Sequence, residues 1–189
     1  MTRKSSAKPN KSDRTRAAIL NAAREVFSER GYDAATIRTI AAQASIDPAM
    51  VIRYFGTKDE LFARAAAIDL ALPDLRSVDT TKIGETLIRH FLTIWEDAGG
   101  HGMAIMLRSA ASNDFAAQKV REVFAAQVGA TIAAVGKRDT AERRAGLVAS
   151  QLLGLALCRY VLRIPPVVAM SREDIVAQIG PTLQRYATG

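Results

Sequence analysis

The sequence contains few of the residues on which several large classes of protein depend. Cys158 is the single cysteine among 189 residues, so an internal disulfide and a multi-cysteine zinc site are excluded, and a reducing, cytoplasmic location is expected. No uncharged run is longer than residues 145–158, which are fewer than the ~18 to 20 residues that a membrane-spanning helix needs. No apolar leader follows the basic first residues. We therefore expect neither secretion nor membrane insertion.

Motifs of catalysis and cofactor binding are missing as well. The sequence has no nucleophile elbow, no glycine-rich phosphate-binding loop and no paired-carboxylate motif. Its two histidines, His90 and His101, lie near Glu96 and Asp97, but their spacing matches no recognised set of metal ligands. We therefore predict no catalytic residue, no metal site and no cofactor, and an enzyme is the less favoured alternative.

Positive charge, in contrast, is abundant and unevenly placed. The formal net charge is +7. Residues 1–58 contain 11 Lys and Arg against 5 Asp and Glu, whereas residues 59–189 contain 15 against 14. DNA attracts a basic region largely because binding releases condensed counterions from the phosphate backbone. The charge therefore favours a nucleic-acid partner for the N-terminal third, and a basic tail on a solvated surface is the alternative.

A pair of short helices is predicted in the stretch TIRTIAAQASIDPAMVIRYF, which begins at Thr36. In the first helix, apolar residues from Ile37 to Ala44 follow the i, i+3, i+4, i+7 spacing of one buried face, and Thr36 caps the start. Asp47 caps the second helix, and Pro48 takes its first position, where a missing N–H is not needed. Too few residues separate the helices for them to fold back side by side. The pair is therefore a helix-turn-helix.

The second helix of this pair is predicted to have an inner and an outer face. Val51 and Phe55, four residues apart, form the inner face. The outer face, which would meet a DNA groove, carries Ala49, Met50, Arg53 and Tyr54. Arg38 lies on the outer face of the first helix and is placed to reach a guanine edge or a phosphate.

Two further helices flank the pair. Ser12 is predicted to cap the one before it, whose apolar stripe includes Phe27 and which Gly31 ends. Thr57 with Glu60 three residues later forms a capping box that starts the one after it. The first helix is expected to support the other two.

These residues resemble the DNA-binding domain of the TetR family of bacterial transcriptional regulators. The resemblance covers about residues 16–62, through ILNAAREVFSERGYDAATIRTIAAQA, PAMVIRYF and TKDELF. It implies that the second helix of the motif enters the major groove and that a lysine of the next helix contacts the DNA backbone. Position by position, it implies a DNA-facing set of Arg38, Pro48, Ala49, Met50, Arg53, Tyr54 and Lys58. The complete predicted DNA-binding set also includes Thr36, Thr39 and Thr57.

Two positions depart from the usual sequence of that family. Ser45 stands where the turn usually has a glycine, so a left-handed backbone conformation is expected to be less favourable there. Ile52 stands where a tyrosine commonly reaches a phosphate, and its side chain offers only van der Waals contact. We expect one hydrogen bond to the DNA backbone to be lost at Ile52 or to be supplied by Tyr54.

The rest of the chain is predicted to be helical, which makes the fold all-α. Helical patterns recur in five segments, at residues 81–97, 102–111, 113–135, 140–162 and 172–186. Glycine-rich turns and Pro165-Pro166 separate them. We predict a flexible basic N-terminal arm (1–11), a three-helix DNA-binding domain with the helix-turn-helix (12–56), a connecting helix (57–72) and a larger helical domain for effector binding and dimerisation (73–189).

The larger domain is predicted to contain two sites. The resemblance implies a small-molecule effector, and the residues that we assign to its site are aromatic, thioether or imidazole side chains: His90, Phe91, Trp95, Met103 and Met106. Their alternative role is ordinary core packing. Small residues four apart allow a partner helix to approach closely. On that basis the predicted dimer interface comprises Gly146, Ser150, Gly154, Leu155, Ile179 and Leu183, unless this stripe packs inside the monomer.

These features predict a homodimeric DNA-binding transcriptional regulator without catalytic activity. A two-fold dimer would place two recognition helices about 34 Å apart along the duplex. The resemblance implies a repressor that leaves its double-stranded operator when an effector binds. The alternative is a DNA-packaging or partner-docking protein of low sequence specificity.

Overall fold

The computed structural model describes residues 10–65, 69–96 and 100–189, apart from the side chain of His101. Within these ranges all regular structure is helical and no strand forms, which confirms the all-α prediction. None of the described helices is long and apolar enough to cross a membrane. The chain divides into two compact units, Met1–Ala67 and Ile68–Gly189. Most of the predicted arm, residues 66–68 of the predicted connecting helix, and Asp97 lie outside the described residues.

The first unit contains four helices, three of them short. Their bounds are α1 Lys11–Ala34, α2 Ile37–Ala44, α3 Pro48–Phe55 and α4 Lys58–Ala65. The N-cap of α1 is Asn10, two residues before the predicted cap Ser12, and the Asn10 side chain forms a capping box with Asp13. Gly31, at φ 72°, interrupts α1 near its end, since that backbone conformation is not helical.

The core of this unit holds three aromatic rings where α1 meets α4. Phe27 and Phe62 meet edge to face with ring centroids 5.0 Å apart, and Tyr32 meets Phe62 at the same separation. Such edge-to-face pairs add about 0.5 to 1.5 kcal/mol beyond the burial of their area. Arg24 also ties the two helices, because its Nε donates to the Ala65 carbonyl at 3.2 Å.

The second unit is built from longer, interrupted helices. Its α-helices are α5 Ile83–Glu96, α6 His101–Ala110, α7 Asp114–Val123, α8 Ala130–Ala133, α9 Ala141–Ala156, α10 Pro165–Val168 and α11 Arg172–Thr188. Two π-helical turns, Phe124–Gly129 and Leu157–Val161, join neighbouring helices. Three short 3₁₀ turns, Leu75–Ser77, Thr80–Lys82 and Arg138–Thr140, complete the unit.

Two features of this unit differ from the sequence-based predictions. The segment expected to extend a helix to residue 72 is not helical from Asp69, where the Asp69 side chain accepts a hydrogen bond from the Ala71 N–H and Ala71 has φ 42°. Pro165 and Pro166 begin the short helix α10 rather than only ending α9, as prolines in a first turn often do. Cys158 is half-buried in the second π turn.

Helices α5 and α11 pack at very close range, because a glycine on each removes a side chain from the crossing. A Cβ added at Gly84 would lie 2.2 Å from the Gly180 carbonyl oxygen and 2.4 Å from the Gln184 nitrogen. The Gly84 N–H donates to the Gln184 side chain at 2.8 Å. This crossing anchors the apolar core formed by α5, α9 and α11.

A buried arginine fixes the ends of several elements of this unit. Arg144 is 1% exposed. Its guanidinium donates to the carbonyls of Val135 (2.7 Å), Lys137 (2.8 Å) and Ala187, and its Nε donates to the Thr140 hydroxyl at 3.1 Å. Every acceptor here is a carbonyl or hydroxyl oxygen, so Arg144 binds carbonyls at and near helix ends, of which the Lys137 carbonyl also accepts from the Thr140 hydroxyl at 3.2 Å.

Candidate nucleic-acid interface and cavity

The turn between α2 and α3 has the left-handed geometry that usually calls for glycine. Ser45 adopts φ 54° and ψ 44°. Its N–H donates to the Ala42 carbonyl at 3.1 Å, and the Ile46 N–H donates to the Ala41 carbonyl at 2.9 Å. These two bonds close α2 despite the serine. The turn therefore keeps the usual geometry with some backbone strain at Ser45.

Helix α3 has one buried edge and an open outer side. Asp47 starts it by accepting a hydrogen bond from the Ala49 N–H at 2.7 Å. Val51 and Phe55 are buried in the core of the unit. Among the predicted DNA-binding residues, Pro48, Ala49 and Arg53 are exposed, and Met50 and Tyr54 are half-buried. The inner face of α3 therefore lies as its sequence pattern indicates, whereas only two of the four residues predicted on the outer face, Ala49 and Arg53, are fully exposed.

Among the described residues of the first unit, Ile52 is the most exposed large apolar residue, with 55% of its surface accessible. Ile52 lies beside Arg53 on α3. The helix therefore exposes an aliphatic side chain next to a positively charged one. Arg38, on the outer side of α2, is also exposed. An exposed isoleucine beside an exposed arginine suits contact with thymine methyl groups and acceptor atoms of a groove.

Arg16 is a candidate that the sequence patterns did not single out. It is exposed on α1, and its guanidinium carbon lies 5.5 Å from the ring centroid of Tyr54. This cation–π contact holds a positive charge beside α3. No local sequence pattern indicates this contact, because 38 positions separate Arg16 from Tyr54 in the sequence.

Thr36 and Thr39 have an internal role in the structure. The Thr36 hydroxyl accepts from the Thr39 N–H at 3.1 Å, and the Thr39 hydroxyl accepts from the Thr36 N–H at 3.0 Å. The Thr39 hydroxyl also donates to the Thr36 carbonyl at 2.8 Å. The two side chains thus form a reciprocal capping box that starts α2.

Lys58, expected to contact the DNA backbone, is bound to the protein itself. Its ammonium group donates to the carbonyls of Tyr32 (3.0 Å) and Ala35 (3.2 Å) and lies 4.2 Å from the ring centroid of Tyr32. The Tyr32 hydroxyl donates to Asp59, and burial together with that hydrogen bond raises the pKa of Tyr32. Lys58 therefore binds the start of α4 to the end of α1, at Tyr32, and to Ala35, which follows α1.

Thr57 caps the start of α4, as the capping-box pattern in the sequence predicts. Its N–H donates to Glu60 Oε2 at 2.8 Å, and the Glu60 N–H donates to the Thr57 hydroxyl at 3.2 Å. The hydrogen bond from the Thr57 N–H lowers the pKa of the Glu60 carboxyl. The hydroxyl of Thr57 is exposed at the N-terminal end of α4.

The five residues predicted for an effector site line one cavity of the second unit. The cavity has a volume of about 130 Å³, and His90, Phe91, Trp95, Met103 and Met106 all form part of its wall. Helices α5 and α6 supply these residues, and the π turn Phe124–Gly129, α8 and α9 close the other sides. The sequence predictions missed several wall residues on other elements, above all Leu70, Leu72 and Thr131.

Leu70 and Leu72 belong to the segment that follows the first unit in sequence. Two hydrogen bonds hold Leu70 in the wall: its carbonyl accepts from His90 Nε2 at 2.7 Å, and its N–H donates to Gln127 Oε1 at 2.8 Å. Gln127 lies in the π turn Phe124–Gly129. The connecting segment, residues 69–73, is thus hydrogen-bonded at Leu70 to two sides of the cavity, α5 and the π turn.

The predicted dimer residues fall into two groups. Gly146, Ser150 and Gly154 are exposed along α9, and a Cβ at either glycine would meet no atom within 4 Å. Leu155 and Leu183, in contrast, are buried in the monomer core, and Ile179 is half-buried against it. The i, i+4 pattern did not separate the two sides of these helices. The exposed apolar residues beside the small stripe are instead Leu147, Leu153 and Leu157.

Known proteins resemble both units. Residues 19–65 match the family described as bacterial regulatory proteins, tetR family, and residues 81–187 match the family described as tetracyclin repressor-like, C-terminal domain. A TetR-family regulator from Streptomyces coelicolor A3 has a solved structure that is 31% identical, covers 98% of this chain and 100% of its own, and superposes with a TM-score of 0.71.

Two other relatives extend the comparison. An HTH-type transcriptional repressor of Mycobacterium tuberculosis H37Rv is 47% identical over 53 residues, which are 28% of this chain and 28% of that protein. The chain therefore spans about a quarter of the length of the curated relatives that it matches. The multidrug binding protein EbrR, solved in complex with malachite green, is 22% identical with a TM-score of 0.62 and covers 94% of this chain and 98% of its own. That last similarity shows the fold alone.

Proposed function

Because the chain belongs to the TetR family of bacterial regulatory proteins, we propose that it is a transcriptional repressor that leaves its operator when a small molecule binds. It acts as a homodimer in the cytoplasm, recognises double-stranded DNA by sequence and performs no chemistry. The single observation that carries this proposal is the open outer side of α3, where Pro48, Ala49 and Arg53 are exposed while Val51 and Phe55 anchor the helix.

The DNA contacts are proposed for α3 and its flanks. Arg53 and Arg38 supply cations for base edges or phosphates, and Ala49, Met50 and Ile52 supply apolar contacts for thymine methyl groups. Arg16 with Tyr54 serves the DNA backbone. Lys58 has a structural role in this proposal, since its ammonium group already donates hydrogen bonds to two backbone carbonyls.

The first experiment identifies the operator and then tests Arg53. DNA fragments that the protein retains from its own genome are sequenced, and mobility-shift titrations at fixed salt compare that operator with a random duplex. We expect Arg53→Ala to weaken operator binding by about 10- to 100-fold, the loss typical of one specific base contact. Arg121→Ala, an exposed arginine of α7, is the matched control. Equal affinity of the wild type for operator and random duplex would favour a DNA-packaging protein instead.

Effector release is supported by the position of the connecting segment in the cavity wall. Leu70 and Leu72 lie in the first residues of the second unit and form part of the wall, and Leu70 is hydrogen-bonded to His90 and Gln127. A molecule that displaces Leu70 would change the start of this segment. EbrR, a protein of the same fold, holds malachite green.

A screen for operator release tests this part of the proposal. Small molecules are tested for loss of the protein–operator complex, and each active compound is then tested on Ala149→Phe, which fills the cavity. We expect this variant to bind the operator normally and to lose the response, while Ala111→Phe, at an exposed position outside the wall, keeps it. Active compounds that still release the Ala149→Phe variant would act elsewhere.

Dimerisation is proposed through the exposed stripe of α9. The stripe offers Gly146, Ser150 and Gly154 for close approach, with Leu147, Leu153 and Leu157 beside them as apolar cover. We expect Ser150→Arg to convert the dimer to a monomer in sedimentation experiments without loss of helical content, whereas Ala111→Arg stays dimeric. A wild-type protein that sediments as a monomer at micromolar concentration would refute this part.

A further inference from the structure

The wall of the cavity restricts the chemistry of the molecule that fits it. We infer that the effector is a small uncharged aromatic molecule with a single hydroxyl group, of the phenol class, and that Thr131 binds that hydroxyl. The inference rests on the proposed effector role of the cavity and specifies its ligand. It follows from the charge, shape and hydrogen-bonding groups of the wall.

Charge is the first restriction. Among the described residues that line the cavity there is no Asp, Glu, Lys or Arg, and His90, Thr131 and the indole N–H of Trp95 supply the only nitrogen or oxygen atoms on side chains. A carboxylate or ammonium placed there would lose its hydration without gaining a partner of opposite charge. The wall therefore favours an uncharged ligand over a charged one of the same size.

Shape is the second restriction. A volume of about 130 Å³ is close to that of an engineered apolar cavity of about 150 Å³ that binds benzene. Phe91 and Trp95 form an aromatic side of the wall, with ring centroids 5.8 Å apart. Met103 and Met106 lie in the same wall, and their flexible thioethers make favourable contacts with aromatic rings. One ring with a small substituent fits this space.

The aromatic side is held in place by a polar cluster behind it. Trp95 stacks on Tyr160 with ring centroids 4.7 Å apart and planes 8° from parallel. The Tyr160 hydroxyl donates to Glu96 at 2.9 Å, and Arg159 lies 3.3 Å from the same carboxylate. Burial, with the hydrogen bond to Glu96, raises the pKa of Tyr160, so the phenol stays neutral. The Trp95 ring is therefore positioned before any ligand arrives.

Hydrogen bonding is the third restriction. His90 Nε2 is occupied by the Leu70 carbonyl at 2.7 Å. The Thr131 hydroxyl, in contrast, has no hydrogen-bond partner among the residues that the structure describes. A hydroxyl both donates and accepts, so one ligand hydroxyl is enough to satisfy it.

Trp95 provides a direct assay, because it is the single tryptophan of the chain and lies in the wall. The full-length protein without DNA is titrated with 4-methylphenol, toluene, benzoate and benzylammonium at neutral pH, and tryptophan emission is recorded at an excitation wavelength that the ligands do not absorb. We expect saturable binding of 4-methylphenol and toluene, and binding of the two ions at least about 100-fold weaker. Benzoate or benzylammonium binding as tightly as 4-methylphenol would overturn the uncharged class.

Two variants test the site itself. Thr131→Val keeps the shape and removes the hydroxyl, so 4-methylphenol should bind about tenfold more weakly while toluene is unaffected. Equal losses for both ligands, or none, would overturn the role of Thr131. Ala149→Phe should abolish binding of both ligands with unchanged helical content, and retained binding would place the ligands outside the cavity.

Failure of the ligand class and failure of the proposed function remain distinguishable. The titrations contain no DNA, so they test only which molecules the cavity accepts. If 4-methylphenol binds as expected but a saturating concentration leaves the operator complex intact, the ligand class stands and effector release is refuted. If compounds from the release screen depend on the cavity but are ionic, effector release stands and the uncharged class is refuted.

Discussion

The two units achieve their helical structure in different ways. Helices α2, α3 and α4 have eight residues each, and side chains of Thr36, Asp47 and Thr57 fix their first turns. Around the cavity, helices α6 and α9 begin without a side-chain cap, and two π turns interrupt the regular hydrogen bonding. Short helices need caps because so few internal hydrogen bonds stabilise them.

This difference suits the proposed division of labour. A helix that reads DNA must keep its side chains in a fixed geometry, and caps at both ends of the turn between α2 and α3 provide it. A cavity that responds to a ligand must deform at low free-energy cost, and π turns are common at functional sites of that kind. The second unit nevertheless has a rigid part, where α5 crosses α11.

The largest effect is expected at the α5–α11 crossing. Gly84→Ala would place a Cβ 2.2 Å from the Gly180 carbonyl oxygen, so the backbones must separate. We expect the free energy of unfolding of the second unit to fall by about 3 kcal/mol or more, measured by urea denaturation. Gly102→Ala in α6 is the control, since its Cβ would meet no atom within 4 Å. Equal stability of the two variants would mean that the crossing is looser than described.

The next effect is expected at the buried guanidinium. Arg144→Met removes the guanidinium donor of the Val135, Lys137 and Ala187 carbonyls, of which Lys137 keeps the Thr140 hydroxyl as a donor, and we expect a loss of about 2 to 3 kcal/mol. Arg143→Met, at the exposed neighbouring position, should change stability by less than about 0.5 kcal/mol. Thermal unfolding of both variants measures the contrast. Similar melting temperatures would show that water replaces the guanidinium at no cost.

The sequence indicates those features whose cause is local. Helices α2 and α3 were predictable because Thr36, Asp47 and Pro48 lie within a few residues of the turns that they start. The structural role of Lys58 was not predictable, because the carbonyls that accept its hydrogen bonds lie 23 and 26 residues earlier in the chain. The same reason explains Arg16 beside Tyr54, and Leu70 in the cavity wall. Leu183 illustrates a different limit, since periodicity marks a helix face as apolar without saying which neighbour covers it.

A smaller effect is expected at Asp47, the N-cap of α3. Asp47→Ala removes the acceptor of the Ala49 N–H, and we expect a loss of about 1 kcal/mol in the free energy of unfolding of the first unit. Asp47→Asn retains an acceptor and should stay close to wild type. Because the cap also fixes where α3 begins, operator affinity should follow the same order in mobility shifts. Lower affinity of Asp47→Asn than of Asp47→Ala would indicate that the charge of Asp47, not the cap, affects DNA binding.

The smallest effect, and the only stabilising one, is expected at the turn of the helix-turn-helix. Ser45 is exposed and its left-handed conformation is disfavoured for any residue with a Cβ, whereas glycine adopts it without strain. Glycine also increases the entropy of the unfolded chain, which offsets part of the gain. We therefore expect Ser45→Gly to raise the free energy of unfolding of the first unit by about 0.5 to 1 kcal/mol.

Ala42→Gly is the matched control for this change, since it introduces the same residue three positions earlier, at an exposed site inside α2. There glycine has only its entropic disadvantage, and a loss of about 1 kcal/mol is expected. The two substitutions should therefore shift the urea midpoint in opposite directions. If both shift it downward by the same amount, the serine side chain contributes to the turn more than its backbone strain removes. In that case the first unit depends on its side chains through the turn as well as at its caps.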